Sequence, residues 1–341
     1  MDELDQYIKD NELSQPNLLN LVDDYDVYCE YIGTDLEIGV KYSSPLRDGD
    51  DDPSFVLFQS NRDHKIMFKD HATGQTGNVF HFLNLFLGIS LHDVYKQINY
   101  DFNLGLDGVD PDKEFKPIKK ERVKVIREPL TIKVTSKEKF SKTFLNYWDA
   151  LGISKEMCER YYVSDVEVIH FITKSAHKFV YPKSLCIAYQ ILGTYKIYQP
   201  LGERAFKFRN NYPYRYVEGA IQLDFANDFC IITKSTKECM WFREHFGWDA
   251  VASTSENTMI SDYFFKTTLS KYKHVFIWLD LDTPGVRAQA KYLEKYPHLI
   301  PIVADRYPEF KDPTDLYEAA KREGWGKDAL RYIKSLILSH V

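Results

Sequence analysis

Between Phe229 and Val303, short apolar runs alternate with amphipathic helical stretches, and no other feature restricts the fold as strongly. Apolar runs at 229–233, 250–253, 275–279 and 299–303 predict strands. Helical periodicity at 237–246, closed by Gly247, and at 262–270 and 286–294 fills the intervals. Parallel strands need crossover connections of this kind, so the region predicts a parallel sheet in an α/β domain. Ligands of such sheets sit outside the carboxyl ends of the strands.

One of those ends is unusual. Val275-Phe276-Ile277-Trp278-Leu279 runs straight into Asp280-Leu281-Asp282, then into Thr283-Pro284-Gly285 and a helix. Alternate residues of an extended segment face the same way, so both carboxylates can converge at the strand edge. Paired hard oxygen ligands there suit Mg²⁺ or Mn²⁺, which keep several waters and bridge to phosphates. An exposed acidic turn is the plainer alternative, and the apolar strand leading into the pair weighs against it. Asp315, within Lys311-Asp312-Pro313-Thr314-Asp315, follows the next strand and is the third candidate ligand.

These pieces stand in a recognisable order. Cys230-Ile231-Ile232-Thr233-Lys234-Ser235-Thr236-Lys237-Glu238 reads as strand, polar turn and helix. Ala250-Val251-Ala252-Ser253, Asp280-x-Asp282-x-x-Gly285 and Lys311-Asp312-Pro313-x-Asp315 come after it. Over residues 228–320 this resembles the Toprim domain of DnaG-type DNA primases, of the kind phages encode. The resemblance implies metal-dependent nucleotidyl transfer, with Asp280, Asp282 and Glu238 catalytic and Asp280, Asp282 and Asp315 holding Mg²⁺ or Mn²⁺. It breaks at one point. In the family the first strand ends in Glu, followed by Gly and, four residues after the Glu, by Asp; here Lys234, Ser235 and Glu238 hold those places. An ammonium cannot ligate Mg²⁺, so Lys234, with Lys237, is expected to face phosphates instead. Glu238 or Glu256 is left to supply the missing carboxylate.

Residues 140–225 resemble the first half of a primase polymerase core. The carriers are Tyr147-Trp148, Gly152-Ile153, the run Gly193-Thr194-Tyr195-Lys196-Ile197-Tyr198-Gln199-Pro200-Leu201, and Lys207-Phe208-Arg209-Asn210-Asn211. The resemblance places Lys207 and Asn210 in the template and nucleotide groove, with Arg209 beside them. The residues themselves interleave Lys196, Arg204, Lys207 and Arg209 with Tyr195, Tyr198, Phe206 and Phe208. Strand alternation, with a strand expected at 206–208, would give one cationic and one aromatic face. A half-buried strand with a solvated basic face fits the same pattern. Helices are expected at 141–151 and 154–162, and strands at 166–172, 179–181, 186–191 and 195–199, as an antiparallel sheet.

The first hundred residues carry the frame of the family's zinc ribbon. Asp52-Pro53-Ser54-Phe55 and Gly74-Gln75-Thr76-Gly77-Asn78-Val79-Phe80-His81-Phe82-Leu83 resemble its strand and its helix entry. Where ligand Cys and His would stand, the chain has Ser44, Arg47, Asp70 and Thr73, so no zinc is expected. The cysteines (Cys29, Cys158, Cys186, Cys230 and Cys239) are scattered without a CxxC pair, which argues against both a disulfide framework and a metal site.

Charge and punctuation complete the organisation. The formal net charge is −6, an unusual balance for a dedicated duplex-DNA binder. Residues 111–142 reverse that sign locally, with Lys116, Lys119, Lys120, Arg122, Lys124 and Arg127 in a Pro-bearing stretch. The domains expected are a zinc-less ribbon at 1–103, a basic linker at 104–137, a mixed α+β core subdomain at 138–225 and a Toprim domain with a C-terminal helix at 226–341. No apolar run is long enough to span a membrane and the N-terminus is acidic, so the expected location is the cytoplasm, or a host's if the source is viral. The function implied is a DNA-dependent RNA primase. Its partners would be a single-stranded DNA template, ribonucleoside triphosphates and a separate replicative helicase, the chain leaving no room for a fused one. The alternative is a catalytically degenerate subunit that keeps the fold and binds nucleic acid or nucleotide.

Overall fold

The computed structural model describes residues 12–34, 36–106, 115–118, 125–174, 176–213, 216–255 and 258–340. Glu256 and the basic run at 119–124 lie outside them. Two compact units divide the chain between Leu130 and Thr131, residues 173–176 and 202–207 belonging with the first.

The first unit opens with helices α1 (Gln15–Leu21) and α2 (Asp24–Ile32). An antiparallel sheet in the order β1 (Lys41–Tyr42), β2 (Phe55–Gln59), β3 (Ile66–Asp70), β4 (Thr76–Asn78) comes next. Helices α3 (Val79–Leu87) and α4 (Leu91–Asp101) follow it. Ser14, Asp23, Asn78 and Ser90 cap the four helices with side-chain oxygens that accept first-turn N–H groups. Alternation in β2 and β3 turns Phe55, Leu57, Ile66 and Phe68 inward, where Phe55 and Phe68 stack at 5.8 Å and Phe82 of α3 packs against both. Full burial of each such ring contributes roughly 1.5–3 kcal/mol.

The four positions where the resemblance would put zinc ligands converge in this unit. Asp70 is completely buried, and its Oδ1 accepts from Ser54 Oγ at 3.2 Å and from the backbone N–H of Ala72 at 3.0 Å. Arg47 Nε lies 3.4 Å from Asp70 Oδ2, and its Nη2 donates to Asp50 and Ser54 at 2.8 Å each. Asp50 Oδ2 also accepts the Ser44 N–H at 2.6 Å. Thr73 contributes a backbone N–H, at 3.4 Å from Asp70 Oδ1. Burial alone would raise the Asp70 carboxyl, but the Ser44 hydroxyl, the Ala72 N–H and Arg47 hold it below the usual range. A carboxylate so depressed stabilises the fold above its unfolded pKa of about 3.9, and that contribution is lost as pH falls through the folded value. Asp70→Ala is expected to cost about 1–3 kcal/mol by leaving the Ser54 hydroxyl and the Ala72 N–H without their acceptor. The check is the urea midpoint of the first unit, which should lose its acid sensitivity together with the carboxylate.

The second unit contains two sheets. One is antiparallel, in the order β10 (Phe208–Asn210), β9 (Thr194–Tyr198), β8 (Ile187–Ile191), β6 (Val163–Ile172), β5 (Thr131–Ser136), with β7 (His177–Val180) also pairing β6. Strand β5 falls inside the stretch expected to be linker. The strand expected at 206–208 is instead a helical turn, α7 (Arg204–Lys207), followed by β10. Helices α5 (Lys142–Ala150) and α6 (Lys155–Arg160) precede β6.

The other sheet is parallel, in the order β12 (Asp249–Ala252), β11 (Phe229–Thr233), β13 (His274–Ile277), β14 (Ile300–Pro301). Its helices are α8 (Thr236–Phe246), α9 (Asp262–Thr267), α10 (Thr283–Lys295), α11 (Pro313–Glu323) and α12 (Gly326–Leu338). All five residues of β11 are buried, as expected of a parallel strand covered on both faces. Gly247 closes α8 at φ 68°, a left-handed conformation that glycine adopts without strain. One face of the sheet packs with Trp148, Trp241, Phe242 and Phe276, the other with Phe265, Leu269 and Tyr292. Phe144, Trp148 and Ile187 belong to the same hydrophobic cluster as Trp241, Phe276 and Ile333. Among the described residues, no helix is long and apolar enough to cross a membrane.

Candidate active site

Strands β11 and β13 lie side by side and end together, so the residues after them meet at one edge. Lys234 follows β11, and Asp280 stands three residues beyond β13. Glu238 projects from the first turn of α8, and Asp312 caps α11. Carboxylate oxygens of Glu238, Asp280 and Asp312 all lie within 4.8 Å of one another. The three residues are buried.

The Lys234 ammonium is inside this group. Its Nζ is 2.5 Å from Asp280 Oδ2, 2.8 Å from Asp312 Oδ2 and 3.9 Å from Glu238 Oε1. Lys234, expected to meet a phosphate, is here turned toward three carboxylates. Glu238 Oε2 accepts from the Thr233 hydroxyl and, at 3.0 Å, from the Lys234 N–H. Asp312 Oδ1 accepts from Thr314 Oγ1 at 2.6 Å and from the Asp315 N–H at 2.8 Å. Glu238 Oε1 and Asp280 Oδ1 are buried without a hydrogen-bond partner. Hard oxygen donors with two buried oxygens unmatched suit a divalent cation.

Charge is distributed unevenly across the group. Burial pushes Glu238 up to about 8, with Asp312 repelling its charge and Lys234 opposing the rise. Burial likewise lifts Asp280 to about 6 against the pull of Lys234. Burial disfavours the Asp312 charge too, yet Lys237 and Lys234 hold that carboxyl well below the usual range. Burial works against the ammonium of Lys234, but Glu238, Asp312 and Asp280 outweigh it and keep its pKa well above the usual lysine value. Lys237, half-buried in the same helical turn, is raised by Asp312 and Glu238 against the effect of its burial.

Of the other expected ligands, Asp282 lies beside the group and caps α10, its Oδ1 accepting the Gly285 N–H at 3.1 Å. Asp315 is half-buried in the first turn of α11, its carboxyl raised by burial and by Asp312. Asp312, not Asp315, converges with Asp280 and Glu238. The signal for it was present: Asp before Pro at a helix start is an N-cap signature, which sets that carboxylate at the strand edge. Gly285 has a distinct role. A Cβ there would lie 2.4 Å from the Asp280 carbonyl oxygen, so only glycine lets α10 start this close to Asp280. Gly285→Ala is expected to shift the Asp280 backbone and cost roughly 1–3 kcal/mol, read as a lower thermal midpoint of the second unit.

The expected nucleic-acid residues are arranged differently from the cationic face predicted. Arg209 is 8% exposed, pairs with Ile197 across β9–β10, and lies over the Phe171 ring at 5.6 Å. Lys196, also 8% exposed, shares the opposite face with Tyr198 and Phe208, its Nζ 5.7 Å from the Phe208 ring, so the cations divide between the two faces. Lys196 is drawn in by Glu218, fully buried, which accepts from its Nζ at 2.6 Å. The same carboxylate accepts the Thr236 N–H at 2.8 Å and the Thr236 hydroxyl at 2.7 Å, securing the start of α8. Asn210 is half-buried on β10, and Lys207 ends α7 in the first unit.

No protein-family model matches the chain, and no curated protein matches it. Among solved structures, the chain is similar to the zinc-binding and RNA polymerase domains of the Aquifex aeolicus primase. The identity is 14% and the TM-score 0.41, over 94% of this chain and 84% of that one. It is also similar to the primase fragment of the bacteriophage T7 primase-helicase protein, at 13% identity and TM-score 0.38, over 54% of this chain and 72% of that one. A third likeness is to the DnaG primase catalytic domain bound to single-stranded DNA, at 14% identity and TM-score 0.40, over 56% of this chain and 73% of that one. At such scores these likenesses carry no weight for the site, whose reading rests on its own geometry.

Proposed function

We propose that the chain is a DNA-dependent RNA primase that makes short primers on single-stranded DNA by Mg²⁺- or Mn²⁺-dependent nucleotidyl transfer. The observation that carries the reading is Asp280, with its buried Oδ1 unmatched and Asp282 beside it, at the carboxyl edge of a parallel sheet. Asp280, through its unmatched Oδ1, and Asp282 would hold the metal, with Asp315 nearby. When bound, it supplies charge to the triphosphate oxygens. Asp312 holds Lys234 in place, and Thr233 and the Lys234 N–H orient Glu238. Lys237, at the start of α8, is the lysine of this edge placed to meet a phosphate, aided by the positive end of the helix. Lys207, Arg209 and Asn210 remain the proposed contacts to template and nucleotide.

Lys234 favours a second reading: its ammonium neutralises part of the acidic group, as would suit a binding subunit that has lost turnover. The test is incubation with single-stranded template, labelled ribonucleotides and Mg²⁺ or Mn²⁺, with and without a replicative helicase. Short labelled RNA is the expected result. Template binding without product under every condition favours the second reading, and breakdown of labelled DNA without nucleotides would indicate a nuclease.

A further inference from the structure

We infer that the Lys234 ammonium is a tethered cation standing where Glu238, Asp280 and Asp312 converge, in the place a divalent metal ion would otherwise take. The inference rests on the proposed reading only in taking a divalent ion as the alternative occupant. Three carboxyl groups are buried with oxygens within 4.8 Å of one another, an arrangement that a cation stabilises. Lys234 Nζ supplies it, at 2.5, 2.8 and 3.9 Å from the three.

The match is incomplete in an informative way. An ammonium has three N–H groups and one charge, whereas a divalent ion of this class takes six or more oxygens. Glu238 Oε1 and Asp280 Oδ1 are buried and unpartnered beside it. Those two oxygens are the part of a metal-binding set that a lysine leaves unmatched. Lys234 immediately follows β11, so covalent attachment keeps its amine at the group at high effective concentration. A free ion has to displace it to enter. Removing the amine while keeping the stem therefore converts the group into a metal site.

The experiment counts bound Mn²⁺ per chain from the loss of the free-ion electron paramagnetic resonance signal. It compares wild type, Lys234→Met, Lys234→Met/Glu238→Gln and Glu238→Gln. Lys234→Met is expected to bind one Mn²⁺ more than wild type, and Glu238→Gln in that background is expected to abolish the gain. In the wild-type background the ammonium holds the place, so Glu238→Gln is expected to release no ion, and Lys234→Leu, which also lacks the amine, is read in place of Lys234→Met should that variant not fold. Equal counts in wild type and a folded Lys234→Met, survival of the added ion in the double variant, or loss of an ion from Glu238→Gln alone would overturn the inference. Primer synthesis is not read, so the ion counts separate these outcomes even in a chain that makes no primers.

Discussion

Asp280→Ala is expected to lower primer synthesis about 10³-fold or more while the second unit stays folded. The loss follows from removing the carboxylate with the unmatched Oδ1, since metal-derived charge stabilisation is worth several kcal/mol and about 1.4 kcal/mol is tenfold in rate. The fold should persist because Lys234 keeps Asp312 at 2.8 Å and the Asp280 repulsion with Asp312 and Asp282 disappears. Asp282 requires a different substitution, because its Oδ1 caps α10 and alanine there would cost about 1 kcal/mol of helix stability. Asp282→Asn keeps an oxygen for the cap and removes the charge. Product yield per chain, compared at equal thermal midpoints, is the measurement. Unchanged yield from Asp280→Ala would place the chemistry elsewhere.

The second large effect falls on stability. Glu218→Ala is expected to destabilise the second unit by about 3–5 kcal/mol, because Lys196 is left charged and buried with its carboxylate gone. The same change strips the acceptor from the Thr236 N–H and hydroxyl, and α8 carries Glu238. Lys196→Met/Glu218→Gln removes both charges and retains an acceptor for Thr236, so it should lose less than Glu218→Ala alone. Urea denaturation of the three proteins gives the comparison. A double variant as unstable as Glu218→Ala would contradict this account, since it strands no charge and keeps an acceptor for Thr236.

The parallel sheet was legible because its strands are buried on both faces and so read as unbroken apolar runs; β11, with all five residues buried, is the clearest case. Asp280 and Asp282 were legible for the same reason, standing directly beyond such a run. The direction of Lys234 was not. A residue just past a strand takes its orientation from the turn, and what draws this ammonium inward is Asp312, 78 positions away in the chain. Strand β5 was obscured by its exposure: Ile132 is its one fully buried residue, and the surrounding sequence is charged. The division of cations between two faces was not legible either. A one-turn helix occupies Arg204–Lys207, so Arg204 and Lys207 leave the strand pattern altogether. The buried Glu218 that draws Lys196 inside has no local signature. The polar convergence on Asp70 was visible only as the positions where zinc ligands were missing.

The most direct test of an active site built around an internal cation is primer synthesis by wild type and Lys234→Glu, side by side, on single-stranded template with labelled ribonucleotides and Mg²⁺ or Mn²⁺. The prediction is short RNA from wild type and less from Lys234→Glu, because the ammonium that holds Asp280 and Asp312 in place is exchanged for a fourth carboxylate. No product from wild type together with product from Lys234→Glu would contradict it. Lys234 would then be the residue that silences a primase site, and the chain a nucleic-acid-binding replication subunit.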